Sequence, residues 1–337
     1  MTTELASRWQ DPAWLKEVHA WIHGQTNKLG ISITGDIEQP HVYPWSTVLK
    51  IPTDQGFLFF KATAAETIYE SALTYKLAEY LPNALPELIG VERSRGWMLM
   101  RDGGESLRAS VRPAKNIQPW TPVIKLFSEV QASCIDHVPE LLALDIPDWR
   151  LTNLPKLYNE LLADAESIRM DQPKGLTSDE FNRARALAPR FTEICESLAA
   201  FGIPETINHG DFHDGNVLIS GDRITLFDWG DACISHPFVS LRTFFVSIEI
   251  SLELDDYSFT PEMQQLLDVY LEVWQKFASK EKLQQAYLLS RCAASIVKAL
   301  SWHKTIASLK GEAREEYAHI VPELFREFME YEKRLSS

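Results

Sequence analysis

The sequence predicts an α+β protein of two lobes, a small β-rich amino-terminal lobe and a larger α-helical carboxy-terminal lobe. Three observations carry that expectation. The first hundred residues hold short runs rich in β-branched and aromatic residues, separated by turn signals. From "RDGG" at 101–104 onward, apolar residues recur at helical spacing over long stretches. A single hairpin-like stretch, "NVLISGDRITLFD" at 216–228, interrupts those helices and carries acidic residues at both ends.

The chain opens on a helix, "DPAWLKEVHAWIHGQTNKLG". Asp11 stands at the N-cap position and Pro12 takes the first helical position. Trp14, Val18, Trp21 and Ile22 share one face, and Gly30 follows the end. The period then changes. "ISITGDI", "TVLKIPT" and "FLFFKA" read as strands, with "DQG" as a tight turn between the last two. A helix from about Ala64 to Leu81 follows, closed by Pro82 and Pro86. "LIGVE" and "GWMLM" add two strands, which gives five with one inserted helix. "RDGG" is the lobe boundary because its glycines follow a strand and precede helical sequence. The expected lobes are residues 1–101 and 102–337. In the second, Val123, Phe127, Val130 and Cys134 begin a series of helices that runs to the end.

Composition bounds the function. A chain of 337 residues suits two lobes better than one small core. Its 45% hydrophobic and 11% aromatic content fits a packed protein rather than a disordered one. A net charge of −14 argues against nucleic acid or an anionic membrane as the main partner, though not against a local basic site for a small phosphate ligand. The four cysteines, Cys134, Cys195, Cys233 and Cys292, form no CxxC pair and sit in or beside apolar runs. They read as reduced, buried thiols. No apolar leader or membrane-length run is present in the sequence, so a cytoplasmic location is expected.

The chemistry concentrates in "INHGDFHDGNVLISGDRITLFDWGDA" at 207–232. Carboxylates this dense repel one another, so a cation or water must sit among them. An antiparallel hairpin brings its outer ends together, which places Asn216 beside Asp228. An amide oxygen and a carboxylate make a hard oxygen site of the kind Mg2+ takes. Asp211, five residues before Asn216, reaches the same cavity. A carboxylate beside a bound cation stays ionised and can orient and deprotonate a hydroxyl.

"HGDFHDGN" followed by "LFDWGD" resembles the catalytic and metal-binding motifs of the aminoglycoside phosphotransferase family, a small-molecule branch of the protein-kinase-like fold. The lobe order extends the resemblance over most of the chain. It implies that Asp211 is the catalytic base and that Asn216 and Asp228 hold Mg2+. It implies that His213 is a cationic or donor side chain facing the transferred phosphoryl group, with His209 structural. Lys61, closing "FLFFK", resembles the lysine that holds the α- and β-phosphates of ATP. The plainer reading of Lys61 is an edge-strand lysine that discourages aggregation. Its carboxylate partner is Glu66, Glu70 or Glu79, and "YESALTYKLAEYLP" favours Glu70. The hinge "MLMRDGG" implies backbone contacts to adenine, with Met100 stacking on it.

Two departures stand out. "PHVYPWSTVLKIP" has no glycine between its strands, so Ser46 and Thr47, with their backbone N–H groups, either cover the phosphates or merely cap the strand. Where many relatives have an Asp in "GDPxxDLA", this chain has "SHPFVSL", with Ser240 near that place. The implied activity is ATP- or GTP- and Mg2+-dependent transfer of the γ-phosphoryl group to a hydroxyl of a small molecule. The acceptor is an amino sugar, sugar, amino alcohol or aminoglycoside-like compound. Two rival readings remain. One is a metal hydrolase using His209, Asp211 and His213, with His303 or His319 in support. The other is a kinase-like binding module without catalysis. A protein-substrate kinase is disfavoured, because no activation segment follows "DWGD". Finally, "SIEISLELDDYSFTPE" carries Glu249, Glu253, Asp255, Asp256 and Glu262. It reads first as a solvated acidic face. Alternatively, Glu249 and Glu253, sharing a helix face, wall a pocket for a cationic acceptor.

Overall fold

A computed structural model describes residues 8–335. The chain divides into two compact units. The first holds the described residues up to Glu105, with Leu218–Gly230 and Ser308–Glu315. The second holds Ser106–Val217, Asp231–Ala307 and the described residues from Glu316 onward. No single cut at 101/102 describes this division, because the acidic-ended hairpin groups with the first unit.

In the first unit, five antiparallel strands form one sheet: β1 (Glu38–Val42), β2 (Ser46–Thr53), β3 (Gly56–Thr63), β4 (Leu88–Glu92) and β5 (Trp97–Arg101). Their order is β1-β2-β3-β5-β4. The β2–β3 hairpin closes with Thr53 opposite Gly56, so its loop is the Asp54–Gln55 pair expected from the turn signal. The helix Pro12–Lys28 packs its apolar face on the sheet. Val18 and Ile22 join Leu49, Ile51, Leu58, Phe60, Trp97 and Leu99 in one buried cluster. Its start is fixed by Asp11, whose carboxylate accepts from the Ala13 and Trp14 N–H groups at 2.7 and 3.1 Å.

Two expectations fail locally. "ISITGDI" is not a strand; only Ile33 bridges Thr53. The first strand lies later, across Pro40, where a loop was expected. An edge strand tolerates proline because one side of its backbone needs no partner, and the β1–β2 register shifts between Glu38 and His41. The helix expected from Ala64 begins as a 3-10 turn, Ala65–Thr67, and is α-helical over Tyr69–Tyr80. The hairpin of strands Val217–Ser220 and Arg223–Leu226 is as expected in itself. From Leu218 on it is tied into the first unit by Leu226 N–H to Ala84 O at 2.8 Å and by the Arg223 guanidinium to Leu85 O at 2.9 Å.

The second unit is mainly helical. A short antiparallel pair, Thr206–Asn208 with Cys233–Ser235, is buried within it. Phe212 is stacked between Phe127 and Phe244, with ring centroids at 4.0 and 5.6 Å, and meets Trp120 edge-on. These rings anchor the loop that follows the first short strand. All four cysteines are buried and free. Among the described residues, no helix is long and apolar enough to cross a membrane.

Gly24 lies inside the helix Pro12–Lys28, and a Cβ built there meets nothing within 4 Å. Gly24→Ala should therefore stabilise the protein by about 0.5–1 kcal/mol, from reduced backbone freedom in the unfolded chain. A urea melt should show a higher midpoint at unchanged slope.

Candidate active site

In the first unit, a buried ammonium organises the polar residues. Lys61 sits on β3, between β2 and β5, with 5% of its surface exposed. The edge-strand reading is therefore excluded by position and burial. Its Nζ lies 2.6 Å from Glu70 Oε1 and 2.6 Å from Asp228 Oδ1. Glu70 projects from the first turn of the helix Tyr69–Tyr80 and is almost wholly buried. The other candidates lie elsewhere: Glu66 is in the preceding 3-10 turn, and Glu79 pairs with Lys76. Asp228 follows the hairpin in the left-handed backbone region, at φ 65°. The Tyr69 hydroxyl holds the same segment by donating to Gly230 O at 2.6 Å.

Burial works against the Lys61 ammonium, but the charges of Asp228 and Glu70 outweigh it and raise its pKa. Burial pushes the Glu70 carboxyl up to about 7, against the pull of Lys61. One ammonium between two carboxylates leaves the cluster with excess negative charge. The Asp228 side chain is 44% exposed and meets Lys61 through Oδ1. A half-exposed carboxylate in a net-negative cluster suits a divalent cation.

The β1–β2 turn is built differently from a glycine-rich loop. Trp9 donates its ring N–H to Tyr43 O at 2.8 Å, and Arg8 donates to Pro44 O at 3.1 Å. The rings of His41, Tyr43 and Trp45 stack in sequence. The Thr47 hydroxyl is fully buried, donates to His41 O and accepts from Gln39 Nε2. That hydroxyl is spent inside the unit, which removes it as a phosphate ligand. Ser46 opens β2, and its carbonyl accepts from Tyr43 N–H at 2.9 Å. Met100 is buried on β5, opposite Phe59 and Leu88.

In the second unit, Asp211 is held through both carboxylate oxygens. Its Oδ1 lies 3.0 Å from Lys298 Nζ, and its Oδ2 lies 3.1 Å from His213 Nε2. The Asn216 amide nitrogen donates to Asp211 O at 2.9 Å and approaches Oδ2 at 3.3 Å. His213 Nδ1 accepts from Gly215 N–H at 2.9 Å, which leaves Nε2–H as the ring's donor, aimed at Asp211. Its donor is thus directed to the carboxylate rather than to a phosphoryl group. The Asn216 nitrogen is engaged by Asp211, so the other end of the amide is the oxygen a hard cation requires. Burial favours the protonated acid at Asp211, but the Lys298 charge and the His213 hydrogen bond outweigh it and hold the pKa well below the usual carboxylate range.

Several partners escaped the sequence reading. Lys298 comes from the long helix Lys280–Ser308, 87 residues downstream of Asp211. Its only sequence signal is a charge inside the apolar run "AASIVKAL". Asp231 lies 3.4 Å from Lys298 and accepts from Ser301 Oγ at 3.0 Å. Asp214 is fully buried and pairs with Arg108 at 2.8 Å and with Arg112. Ser240, standing near the place of the expected Asp, donates to Asn208 Oδ1 at 2.8 Å and so braces the loop through that amide. Gln131 donates to Ile207 O and Pro237 O at 3.0 and 3.1 Å in the same network.

The metal-hydrolase reading finds no support. Among the described residues, no three His, Cys, Asp or Glu side chains are grouped to hold a metal. His209 is buried, His303 pairs with Asp164 and His319 approaches Glu323. The acidic segment also differs from expectation. Glu249 lies on the helix Leu241–Leu252, but Glu253 ends that helix at φ 53° and pairs with Lys115. The two do not share a helix face. Glu249 lines a cavity of about 400 Å³ with Arg242, Asp256, Tyr257, Glu327 and Tyr331. Burial, then the Asp256 charge, pushes the Glu249 carboxyl up to about 7.

Residues 128–246 match the phosphotransferase enzyme family. The matched stretch contains Asp211, His213, Asn216 and Asp228, so the resemblance carried by the motifs is borne out. The fold is protein-kinase-like. The chain is similar to an ethanolamine kinase of Plasmodium vivax at 13% identity, with 86% of this chain and 82% of that one covered and a TM-score of 0.56. It is similar to a choline kinase of Cryptosporidium parvum Iowa II at 14% identity, covering 94% and 96%, with a TM-score of 0.56. A spectinomycin phosphotransferase solved with ADP and spectinomycin is 11% identical over 90% and 94%, with a TM-score of 0.50. No curated protein matches the chain.

Gly210 adopts φ 74°, and a Cβ there would lie 2.0 Å from Asp231 O. Gly210→Ala should cost about 1–3 kcal/mol from the left-handed backbone alone, and more from the clash. The measurement is a denaturant melt against wild type. An unchanged midpoint would contradict this packing of the two segments.

Proposed function

We propose that the protein is an ATP- and Mg2+-dependent phosphotransferase that acts on a hydroxyl of a small molecule. The observation that carries this reading is the Lys61–Glu70–Asp228 cluster. Residues 61, 70 and 228 are brought together around one buried ammonium, and Asp228 lies inside the stretch that matches the family. The bound ADP of the spectinomycin enzyme agrees with a nucleotide as donor. GTP is the alternative donor. Lys61 would hold the nucleotide phosphates, and Asn216 and Asp228 would hold Mg2+, which neutralises phosphate charge when bound. Met100 and the backbone of Ser46 would complete the nucleotide side. The four buried, free thiols fit a reducing compartment, and the cytoplasm is the proposed location.

The reaction is in-line transfer. The acceptor oxygen forms a bond to the γ-phosphorus, the bond from that phosphorus to the β–γ bridging oxygen breaks, and ADP leaves. Asp211 orients the acceptor hydroxyl and takes its proton. His213, with Nε2–H toward Asp211, keeps the carboxylate oriented. The cavity lined by Glu249, Tyr257 and Tyr331 is the proposed place for an amine-bearing part of the acceptor. Glu249 and Asp256 supply the carboxylates there.

Two measurements test this. Mg-ATP or Mg-GTP at a hundred times its Kd should stabilise the native protein by about 2.7 kcal/mol, seen as a raised melting temperature. Asp228→Ala should reduce that shift; no shift with any nucleotide would remove the basis of the reading. Second, purified protein should release ADP in a screen of aminoglycosides, amino alcohols, sugars and amino sugars. On the best acceptor, Asp211→Asn should lower turnover by about 10² to 10⁴ with nucleotide affinity little changed.

A further inference from the structure

We infer that Lys298 is a positioning residue for the reaction, one that fixes the carboxylate of Asp211 without touching substrate. The inference rests on the proposed role of Asp211. Lys298 is buried on the helix Lys280–Ser308, among small or aliphatic residues such as Ala294, Val297 and Ser301. An ammonium has three N–H donors. Here they meet Gly210 O at 2.9 Å, Asp211 Oδ1 at 3.0 Å and Asp231 Oδ2 at 3.4 Å. All three donors are therefore used inside the protein, and none remains for a ligand. A purely structural lysine would need only one carboxylate here, and Asp231 already supplies it, steadied by Ser301. The shorter contact is instead to the carboxylate that carries the chemistry.

The geometry says what that contact does. Asp211 Oδ2 is fixed by His213 and Asn216, both within the same loop. Oδ1 is fixed by Lys298, from a separate helix. Two independent anchors stop the carboxylate from rotating about its side-chain bonds. The acceptor proton then meets a lone pair of set direction, and a misplacement of about 1 Å costs about 10²-fold in rate. Without Lys298 the loop anchors remain, but the carboxylate turns.

The test uses the full chain and ADP release from Mg-ATP, with the best acceptor from the screen and with water as acceptor. Lys298→Met should lower kcat by about 10²-fold, while KM for Mg-ATP and the Mg-ATP melting shift stay within about twofold. Lys298→Ala should regain activity with added ethylammonium, and Asp211→Asn should not. Lys298→Gln is the second variant if Lys298→Met does not fold. A folded Lys298 variant at wild-type kcat, beside an inactive Asp211→Asn, overturns this inference alone. So does a folded Lys298→Ala that ethylammonium does not rescue, or a variant that loses Mg-ATP affinity along with turnover. An Asp211→Asn protein as fast as wild type removes Asp211 as the base and this inference with it, and a wild type that releases no ADP with any acceptor overturns the phosphotransferase reading as well.

Discussion

A buried ammonium shared between two carboxylates is the constraint on which the polar architecture depends, and each unit contains one. Lys61 lies between Glu70 and Asp228; Lys298 lies between Asp211 and Asp231. Taking these charges out of water is expensive, and each cluster persists only because its partners compensate. Removing one partner of a buried pair typically costs about 3–5 kcal/mol, so the cluster fixes the segments that carry it. Lys61 locks a central strand, a helix and the end of a hairpin to one another. Lys298 locks a long helix to the loop at Gly210–Asp211 and to Asp231. The four-residue stretch "DWGD" supplies one carboxylate to each cluster, which explains why acidic residues recur there.

Apolar packing decides where the charged loop can stand. Phe212, between Asp211 and His213, is buried among Phe127, Phe244 and Trp120. Alternation does the rest: with Phe212 pointing into the core, its neighbours on either side turn to the polar face. Asp214 is then drawn inward again by two arginines, which a lone buried carboxylate requires. The loop is thus pinned by rings at one residue, by an ammonium at another and by guanidiniums at a third. A carboxylate in that setting is oriented before any ligand arrives.

The sequence made some of this legible for identifiable reasons. Strands β2 to β5 and the hairpin declare themselves by β-branched and aromatic runs bounded by turn residues, so Lys61 could be placed at a strand end. Glu70 was singled out from three glutamates of the next helix by the resemblance of "YESALTYKLAEYLP" to the family's pattern. Strand β1 was hidden by Pro40, which argues against a strand everywhere except at an edge. Thr47 looked available because sequence does not reveal which hydroxyls are spent on the backbone. Glu253 looked like the next turn of a helix that in fact ends there. Lys298 and the arginines of Asp214 were invisible because their partners lie 87 to 106 residues away. Ion pairs at that range leave no local pattern.

The spacing that identified the site has a structural origin. Asn216 reaches back to the carbonyl of Asp211, five residues earlier, and Gly215 N–H returns to the ring of His213. Gly210 lies where only a hydrogen fits against Asp231. Histidine, glycine, aspartate and asparagine in this order therefore describe a loop that closes on itself by hydrogen bonds. The same spacing serves any acceptor compatible with such a loop, so the phosphoryl chemistry proposed from the motif carries no information about the acceptor. That information must reside in side chains outside the loop. The cavity walled by Glu249, Asp256, Tyr257 and Tyr331 is drawn from two helices and the turn after the first of them. Lys298, His213 and Asn216 hold Asp211, and none of them lines that cavity, so the chemistry proposed for the loop and the acceptor proposed for the cavity rest on separate side chains.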